Sequence, residues 1–217
     1  MGQDGHAQTS TTVGRFVIQT IEKHISYGRY ALWSGIEWGT EIQRQGDTVM
    51  VKHRGVWKKL TSVNSLWAAY AGNQRAVLNQ ILDYARQLYP AGGFPSRWIF
   101  NDFGHVSVKY LKDTNNDRKM NGNEHVIGDF IHTTPFDEAF TAQKRSFTLA
   151  ESHGCILVKP LDIDTMIGNG YLKKGQTVEV HSYNEKALPA NLKRTTDGKP
   201  YEVHFFRALL KLAVYKP

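Results

Sequence analysis

The second half of the chain alternates apolar and polar residues in several short stretches, which is the pattern of half-buried β-strands. In HVSVKYL (105–111), Val106, Val108 and Tyr110 alternate with Ser107 and Lys109. Further strands are predicted at HVIGDFIH (125–132), at QTVEVHSY (176–183) and, as a single last strand, within YEVHFFRALLKLAVY (201–215). This half is therefore predicted to consist mainly of strands.

The first half contains a predicted hairpin. The segment DTVMVKHRGVWKKL (47–60) indicates two strands around a turn at Arg54-Gly55. Residues 13–45 mix apolar and polar positions without a clear period, so helix and strand both stay open there.

A helical region is predicted to begin after Asn64 or Ser65, which are both suitable N-cap residues, and to run to Tyr89. Gly72-Asn73 divides it, and Pro90 ends it. Apolar residues fall on one face of its second part: Val77, Ile81, Ala85 and Leu88. Short strands with one or two helices predict an α+β fold that is mainly β, with a helical N-terminal region.

Four regions are predicted along the chain. Residues 1–12 are polar and form a flexible tail, and residues 13–95 form an N-terminal accessory or divergent region. The loop YPAGGFPS (89–96) is rich in helix and strand breakers and separates this region from residues 96–185, which carry the candidate chemistry. Residues 186–217 form a C-terminal extension with a strand.

Composition narrows the class of protein. The 217 residues are 41% hydrophobic, enough for a sizeable core, and the net charge is +7. A basic protein favours anionic partners such as nucleic acid, an acidic envelope polymer or lipid headgroups. The basic residues are scattered in short pairs and no RNA-binding signature accompanies them, so nucleic acid is not the expected partner.

Neither a membrane span nor a signal peptide is predicted, because no segment has the apolar length of a span and the first residues lack an apolar core. Three expectations are compatible with this pattern: that a leader has been removed, that the protein stays inside the cell, or that it is exported by a route that needs no such leader.

The single cysteine, Cys155, lies in the segment AESHGCILVKP (150–160) and has no partner for an intrachain disulfide. A glycine at position 154 allows a sharp turn that presents the thiol above backbone amides. To act as a nucleophile at neutral pH, a thiol also needs a base that removes its proton. His132 and His153 are both candidates, and His132 is the better one because it lies at the end of an apolar strand beside a loop, where catalytic groups often lie. The alternatives are a buried, inert thiol and a zinc site formed by His125, His132, His153 and Cys155.

The segment FIHTTP, followed after 19 intervening residues by SHGCI, resembles the catalytic motif of the L,D-transpeptidases. The next segment, PLDIDTMIGNGYLKKGQTVEVH, is similar to the ending of that family: a short helix, a lysine-glycine turn and a closing strand. The resemblance covers residues 97–185. It implies a β-sandwich of mixed sheets with the cysteine under a loop lid. The early strand of the family, with its Pro-x-Gly turn, is not recognisable.

The resemblance assigns roles residue by residue. Cys155 would be the nucleophile and His132 the general base, with the backbone carbonyl of Thr133 orienting the imidazole. The amides of His153, Gly154 and Cys155 would form the oxyanion hole. The residues that would shape the site or bind substrate are Ser152, Leu157, Lys159 and Trp98. In the family the position of Leu157 is usually polar, so recognition of the substrate carboxylate would pass to Lys159 or to another residue.

The implied reaction is acyl transfer on peptidoglycan stem tetrapeptides in the periplasm or cell envelope. It needs no cofactor, releases the terminal D-alanine through a thioester, and is sensitive to carbapenems. An L,D-carboxypeptidase would use the same residues, as would a secreted antibacterial effector, whose partners would include an immunity protein and a secretion apparatus. The non-enzymatic alternative is a peptidoglycan-binding module.

A second candidate site is the polar loop DTNNDRKMNGNE (113–124). Its oxygen-bearing side chains follow the spacing of a calcium-binding loop: Asp113, Asn115, Asp117, Asn121 and Glu124. Arg118 replaces the expected glycine and strands flank the loop, so a polar hairpin loop is the alternative. Of the remaining histidines, His53, His181 and His204 are predicted to be surface or sheet-face residues rather than ligands.

Overall fold

The computed structural model describes residues 9–182, 202–206 and 211–215. The chain divides into two compact units, each formed from separate segments. Unit 1 consists of the described parts of Met1–Glu22, Val108–His132 and Leu149–Pro217, and unit 2 of Lys23–Ser107 and Thr133–Thr148. Most of the predicted N-terminal tail and residues 186–201 of the predicted extension lie outside the described residues. Within the described part of the chain, no helix has both the length and the apolar character that crossing a bilayer requires.

Unit 1 is built on a seven-stranded sheet that curls into a half-barrel. Its strands are β1 (Gly14–Glu22), β5 (Ser107–Leu111), β6 (Ile131–His132), β7 (Ile156–Leu157), β8 (Thr177–Val180), β9 (Glu202–Phe206) and β10 (Lys211–Tyr215). Their order across the sheet is β10-β9-β8-β1-β5-β6-β7. β1 and β8 are antiparallel and lie at its centre, while β8 and β9, like β6 and β7, are parallel.

Several strand predictions are confirmed and two are corrected. β5 and β8 form where alternation predicted them. Only Ile131–His132 of the segment 125–132 is a strand, apart from an isolated bridge between Leu111 and Val126. The segment 201–215 contains two antiparallel strands rather than one, with Leu212 opposite Phe205.

Helix α5 (Pro160–Gly168) and the sheet supply the core of unit 1. Pro160 begins the helix, where its missing N–H costs nothing, and Ile163 and Met166 are buried one turn apart. The sheet contributes buried apolar side chains from five strands: Phe16, Ile18, Val108, Tyr110, Leu111, Ile131, Val178, Val180 and Val203. The short helix, turn and closing strand expected from the sequence are present at residues 160–180.

Unit 2 contains a three-stranded antiparallel sheet and most of the helices. The strands are β2 (Ile42–Gln45), β3 (Thr48–His53) and β4 (Val56–Lys59), in the order β2-β3-β4. The predicted turn is confirmed: Arg54 and Gly55 have φ of 50° and 80°, as a two-residue hairpin turn requires. The helices are α1 (Ala31–Ser34), a 3-10 helix (Leu60–Ser62), α2 (Ser65–Ala68), α3 (Gln74–Leu88) and α4 (Pro135–Ala142).

The predicted helical region and its division are confirmed. Asn64 and Asn73 cap α2 and α3, since their side-chain oxygens accept hydrogen bonds from the amides of Leu66 and Ala76. The predicted apolar face of α3 is buried in an aromatic core that includes Trp67, Trp98 and Phe100. Strand accounts for about 25% of the structure and helix for about 24%, so the α+β class is confirmed without the predicted excess of strand.

Candidate active site

Strands β6 and β7 bring the two halves of the predicted catalytic motif together in unit 1. Ile131 lies opposite Ile156, and His132 lies opposite Leu157. The Val158 amide donates a hydrogen bond to the His132 carbonyl at 3.1 Å, which extends the parallel ladder past the end of β6. His132 is therefore held at a strand end, as the sequence predicted, and is only 6% exposed.

Cys155 immediately precedes β7. Residues two apart in an extended chain lie on one face of a sheet, and so do paired residues of neighbouring strands. Cys155 therefore shares its face with Leu157 and with His132. This arrangement comes from pairing of distant parts of the chain: the predicted base lies in β6, and the predicted nucleophile is the residue before β7.

Gly154 makes the turn that delivers Cys155 to this position. It is buried and has a φ of 99°, which residues with a Cβ rarely adopt. A Cβ built there would come within 2.4 Å of Asp129 Oδ1 and within 3.2 Å of Thr9 Oγ1. The predicted sharp turn is present, and both backbone conformation and space require glycine.

The surroundings of the Cys155 thiol favour its protonated form. Burial raises the pKa of the thiol to about 11; the Phe130 amide, 3.5 Å from Sγ, partly offsets this effect and the negative charge of Asp129 adds to it. The thiol hydrogen lies toward the Gly128 carbonyl, with an Sγ–O distance of 3.9 Å. Nucleophilic attack at neutral pH therefore requires a base that removes the proton.

Asp129 and Tyr110 are neighbours of the thiol that sequence reasoning did not single out. Asp129 Oδ2 accepts a hydrogen bond of 2.7 Å from the Thr12 amide. Tyr110 is fully buried, packs against Phe16, and its hydroxyl has no hydrogen-bond partner among the described residues. Burial raises the pKa of Tyr110, and the charges of Asp129 and Cys155 raise it further. An ionisable residue inside the apolar run HVIGDFIH was the available signal for Asp129.

The other predicted site residues of unit 1 surround Cys155 along the chain. The Ser152 hydroxyl donates a hydrogen bond to the Cys155 carbonyl, which closes the turn. His153 and Leu157 are half-buried, and Lys159 is exposed at the start of α5. The oxyanion-hole role of the His153 and Gly154 amides, and substrate contacts by the side chains, stay predictions.

Thr133 and Trp98 belong to unit 2, and both are fully buried. The Thr133 hydroxyl donates a hydrogen bond to the Glu138 carboxylate. The Trp98 indole donates to the Trp33 carbonyl at 2.9 Å. Trp98 lies in the aromatic core of unit 2, and its role in substrate binding stays a prediction. The proposed role of the Thr133 carbonyl stays a prediction.

A cavity of about 450 Å³ lies elsewhere in unit 1. Its lining comes from β1, the end of α5 and the following turn: Gln19, Thr20, Ile21, Glu22, Ile167, Gly170, Leu172, Lys173 and Lys174. Neither Cys155 nor His132 belongs to this lining, so the cavity is not the predicted catalytic site.

The loop 113–124 gathers three carboxylates, since single oxygens of Asp113, Asp117 and Glu124 lie within 4.8 Å of one another. Arg118, in place of the expected glycine, has a φ of 60°, and its amide donates to Asp113 at 3.0 Å. The Thr114 amide donates to Glu124 at 2.7 Å. These carboxylates thus receive hydrogen bonds from the loop itself, and calcium binding there stays a prediction.

The alternative zinc set around Cys155 is not supported by the geometry. Among the described residues, three or more histidine, cysteine or carboxylate ligand atoms lie within 4.8 Å of one another in two groups, and neither contains Cys155, His125, His132 or His153. One group is the loop 113–124. The other consists of Glu179, His181 and His204, although the sequence predicts sheet-face or surface positions for the two histidines and indicates no role for Glu179.

No protein-family model matches this chain, and neither a curated protein nor a solved structure matches it.

Proposed function

We propose that this protein is a cysteine acyltransferase of the L,D-transpeptidase type that acts on peptidoglycan stem tetrapeptides. The observation that carries the proposal is the pairing of β6 with β7, because His132 lies in β6 and Cys155 directly precedes β7. The positive φ of Gly154 supports it, because the motif needs a tight turn directly before the nucleophile. We further propose that the curled sheet of unit 1 corresponds to the β-sandwich of that family.

In the first half-reaction, the Cys155 sulfur attacks the carbonyl carbon of the third stem residue while His132 takes the thiol proton. The tetrahedral oxyanion receives hydrogen bonds from the amides of His153, Gly154 and Cys155. The carbon–nitrogen bond then breaks, and the imidazolium returns the proton to the amine of the departing D-alanine. A thioester on Cys155 remains.

In the second half-reaction an acceptor amine attacks the thioester and His132 removes the surplus proton from it. The sulfur leaves and is reprotonated, which regenerates the starting thiol. If water replaces the amine, the same steps give an L,D-carboxypeptidase. The high pKa of Cys155 supports proton transfer during attack rather than a preformed thiolate.

The location proposed for this activity is the cell envelope, where peptidoglycan stem peptides are the partners. The net charge of +7 supports binding of a carboxylate-rich polymer. In an antibacterial effector the same chemistry would damage the wall of a competing cell, and a cognate immunity protein would be a further partner.

Incubation with purified muropeptides, followed by mass spectrometry of products and protein, tests the proposal. The wild type is expected to release D-alanine and to carry a thioester on Cys155, whereas Cys155→Ala and His132→Gln do neither. His125→Ala is the matched control, because His125 is an exposed histidine of the same unit. Products cross-linked to an amine identify a transpeptidase and hydrolysed tripeptides a carboxypeptidase.

A carbapenem provides the second measurement. One carbapenem molecule is expected to attach covalently to each wild-type chain and none to Cys155→Ala, as measured by mass spectrometry of the protein. If the folded protein forms no acyl adduct with either substrate or carbapenem, the proposal is wrong. Retention of both wild type and Cys155→Ala on purified sacculi, without any turnover, would favour a wall-binding module instead.

A further inference from the structure

Three side chains with metal-binding groups meet on one face of the β8–β9 pair in unit 1. Glu179 lies in β8, and His181 follows two residues later, so both project from the same face. His204 in β9 is the register partner of Glu179. The His181 amide donates to the Phe205 carbonyl at 3.2 Å, which continues the parallel pairing past the end of β8. Adjacent strands thus bring the three side chains together.

The distances between the donor atoms are those of a metal site. His181 Nε2 lies 3.0 Å from His204 Nδ1, and Glu179 Oε2 lies 3.5 Å from the same nitrogen. All three donor atoms lie within 4.8 Å of one another. A tetrahedral zinc ion with bonds of about 2.0–2.1 Å separates its ligand atoms by roughly 3.3–3.4 Å. Two of the three ligand-atom distances, 3.0 and 3.5 Å, are therefore close to the zinc spacing, and the third is at most 4.8 Å.

One member of the cluster is buried and the other two are partly exposed. The side chain of His204 is 1% exposed, whereas that of Glu179 is 32% exposed. On the other side of β9, the register partner of His204 is Ala213, which carries no polar atom, whereas the register partner of Glu179 on β1 is Arg15, a cation that competes for the carboxylate. The buried imidazole of His204 is costly to desolvate unless a cation or a hydrogen bond satisfies it.

We propose that Glu179, His181 and His204 bind a divalent transition metal, with Zn²⁺ as the metal that fits best. Two imidazole nitrogens and one carboxylate oxygen suit zinc, whereas calcium and magnesium prefer all-oxygen ligand sets. Three protein ligands leave one tetrahedral position for water. The ion would join β8 to β9 and so stabilise that part of the curled sheet. The proposed acyl transfer at Cys155 uses no metal, and the two proposals stand independently.

The rival explanation is a metal-free network in which one histidine donates to the other and Glu179 accepts the remaining proton. It predicts the same resting distances and no metal affinity. Zinc binding separates the two explanations, provided that Cys155 is removed as an alternative ligand.

The experiment is a zinc titration of the full-length, untagged and chelator-stripped protein by calorimetry, in both wild-type and Cys155→Ala chains. We expect one equivalent to bind to both. At free zinc about 100-fold above the dissociation constant, the melting temperature is expected to rise by about 5–10 °C. Glu179→Gln and His181→Ala are each expected to weaken affinity by more than the roughly 10–100-fold that loss of an outer-sphere partner costs. His125→Ala is expected to bind like the wild type.

His204→Ala disrupts a buried sheet position and is not needed for the test, since Glu179 and His181 are more exposed. Circular dichroism of the metal-free variants shows whether they are folded. Cobalt supplies a second measurement, because tetrahedral Co²⁺ gives visible absorption bands that Glu179→Gln should lose. No zinc binding at millimolar concentration, binding that both variants retain, or binding that disappears in Cys155→Ala would overturn the proposal.

Discussion

Replacement of Gly154 by alanine is expected to destabilise unit 1 for two separable reasons. A φ of 99° is unfavourable for alanine, which costs about 1–3 kcal/mol. The new Cβ would also lie 2.4 Å from Asp129 Oδ1, so the carboxylate must move and give up its hydrogen bond from the Thr12 amide. A hydrogen bond to a charged group contributes about 1.5 kcal/mol at the lower end of its range. The total expected loss is about 2.5–4.5 kcal/mol.

A double-mutant cycle separates the two causes. In an Asp129→Ala background the closest clash is absent, and the backbone strain and the looser 3.2 Å approach to Thr9 Oγ1 remain, so Gly154→Ala should cost about 1–3 kcal/mol. The coupling energy between the two positions is therefore expected to be about 1–2 kcal/mol. Urea unfolding followed by far-UV circular dichroism gives the four free energies of unfolding.

The control is Gly168→Ala, at the end of α5 in the same unit. An added methyl group at this glycine would have no neighbour within 4 Å, and its φ is not positive, so the change is expected to be neutral or slightly stabilising. If Gly154→Ala costs the same with and without Asp129, the close approach of Gly154 to this carboxylate does not limit the position, and that part of the reasoning is wrong.

Three further predictions concern single side chains. The rate of Cys155 alkylation by iodoacetamide should rise with pH with a midpoint near pH 11 rather than 9, because burial raises the pKa of the thiol to about 11. At pH 7 the folded chain should therefore react about 100-fold more slowly than the urea-unfolded chain. A midpoint near pH 9 in the folded chain would contradict this. Burial raises the pKa of Asp102 from 3.8 to about 6, so the folded state binds the proton more tightly and the free energy of unfolding should fall by about 3 kcal/mol as pH rises from about 3 to about 7. Asp102→Asn should remove that decrease in a series of urea titrations, and equal pH slopes would refute the assignment. Asn73→Ala should lower the free energy of unfolding by about 1 kcal/mol because α3 loses its cap, whereas Asn79→Ala, at an exposed position of the same helix, should not.

Local signals in the sequence predicted local structure well. The 3.6-residue spacing of Val77, Ile81, Ala85 and Leu88 matches the buried face of α3, and Asn73 begins that helix. The Arg54-Gly55 turn predicted its hairpin because both residues adopt positive φ. These features depend on neighbours within a few positions, which a sequence pattern records directly.

Long-range pairing accounts for what the sequence did not predict. β1 has three consecutive buried residues, Phe16, Val17 and Ile18, so its pattern lacks the alternation of a half-buried strand. It becomes a strand by pairing with β8, far along the chain. The predicted strand at 125–132 shortens to its last two residues, and Asp129, which the longer strand would have included, accepts a hydrogen bond from the Thr12 amide.

The same distinction applies to the candidate sites. The order of His132, Gly154 and Cys155 along the chain predicts a candidate site because these residues form a motif with a fixed spacing. The proximity of Asp129 to Cys155, and of His204 to Glu179, arises from the tertiary fold and leaves no spacing to recognise. The sequence therefore gives no reason to group His181 with His204, although their ring nitrogens lie 3.0 Å apart.

The uneven distribution of two residue types has a practical consequence. All five tryptophans, at positions 33, 38, 57, 67 and 98, lie in unit 2, whereas the single cysteine lies in unit 1. Tryptophan fluorescence thus reports on one unit, and the rate of thiol labelling reports on the other. A single sample of wild-type protein, without any introduced label, is sufficient to determine whether the two units unfold in one cooperative transition or in two.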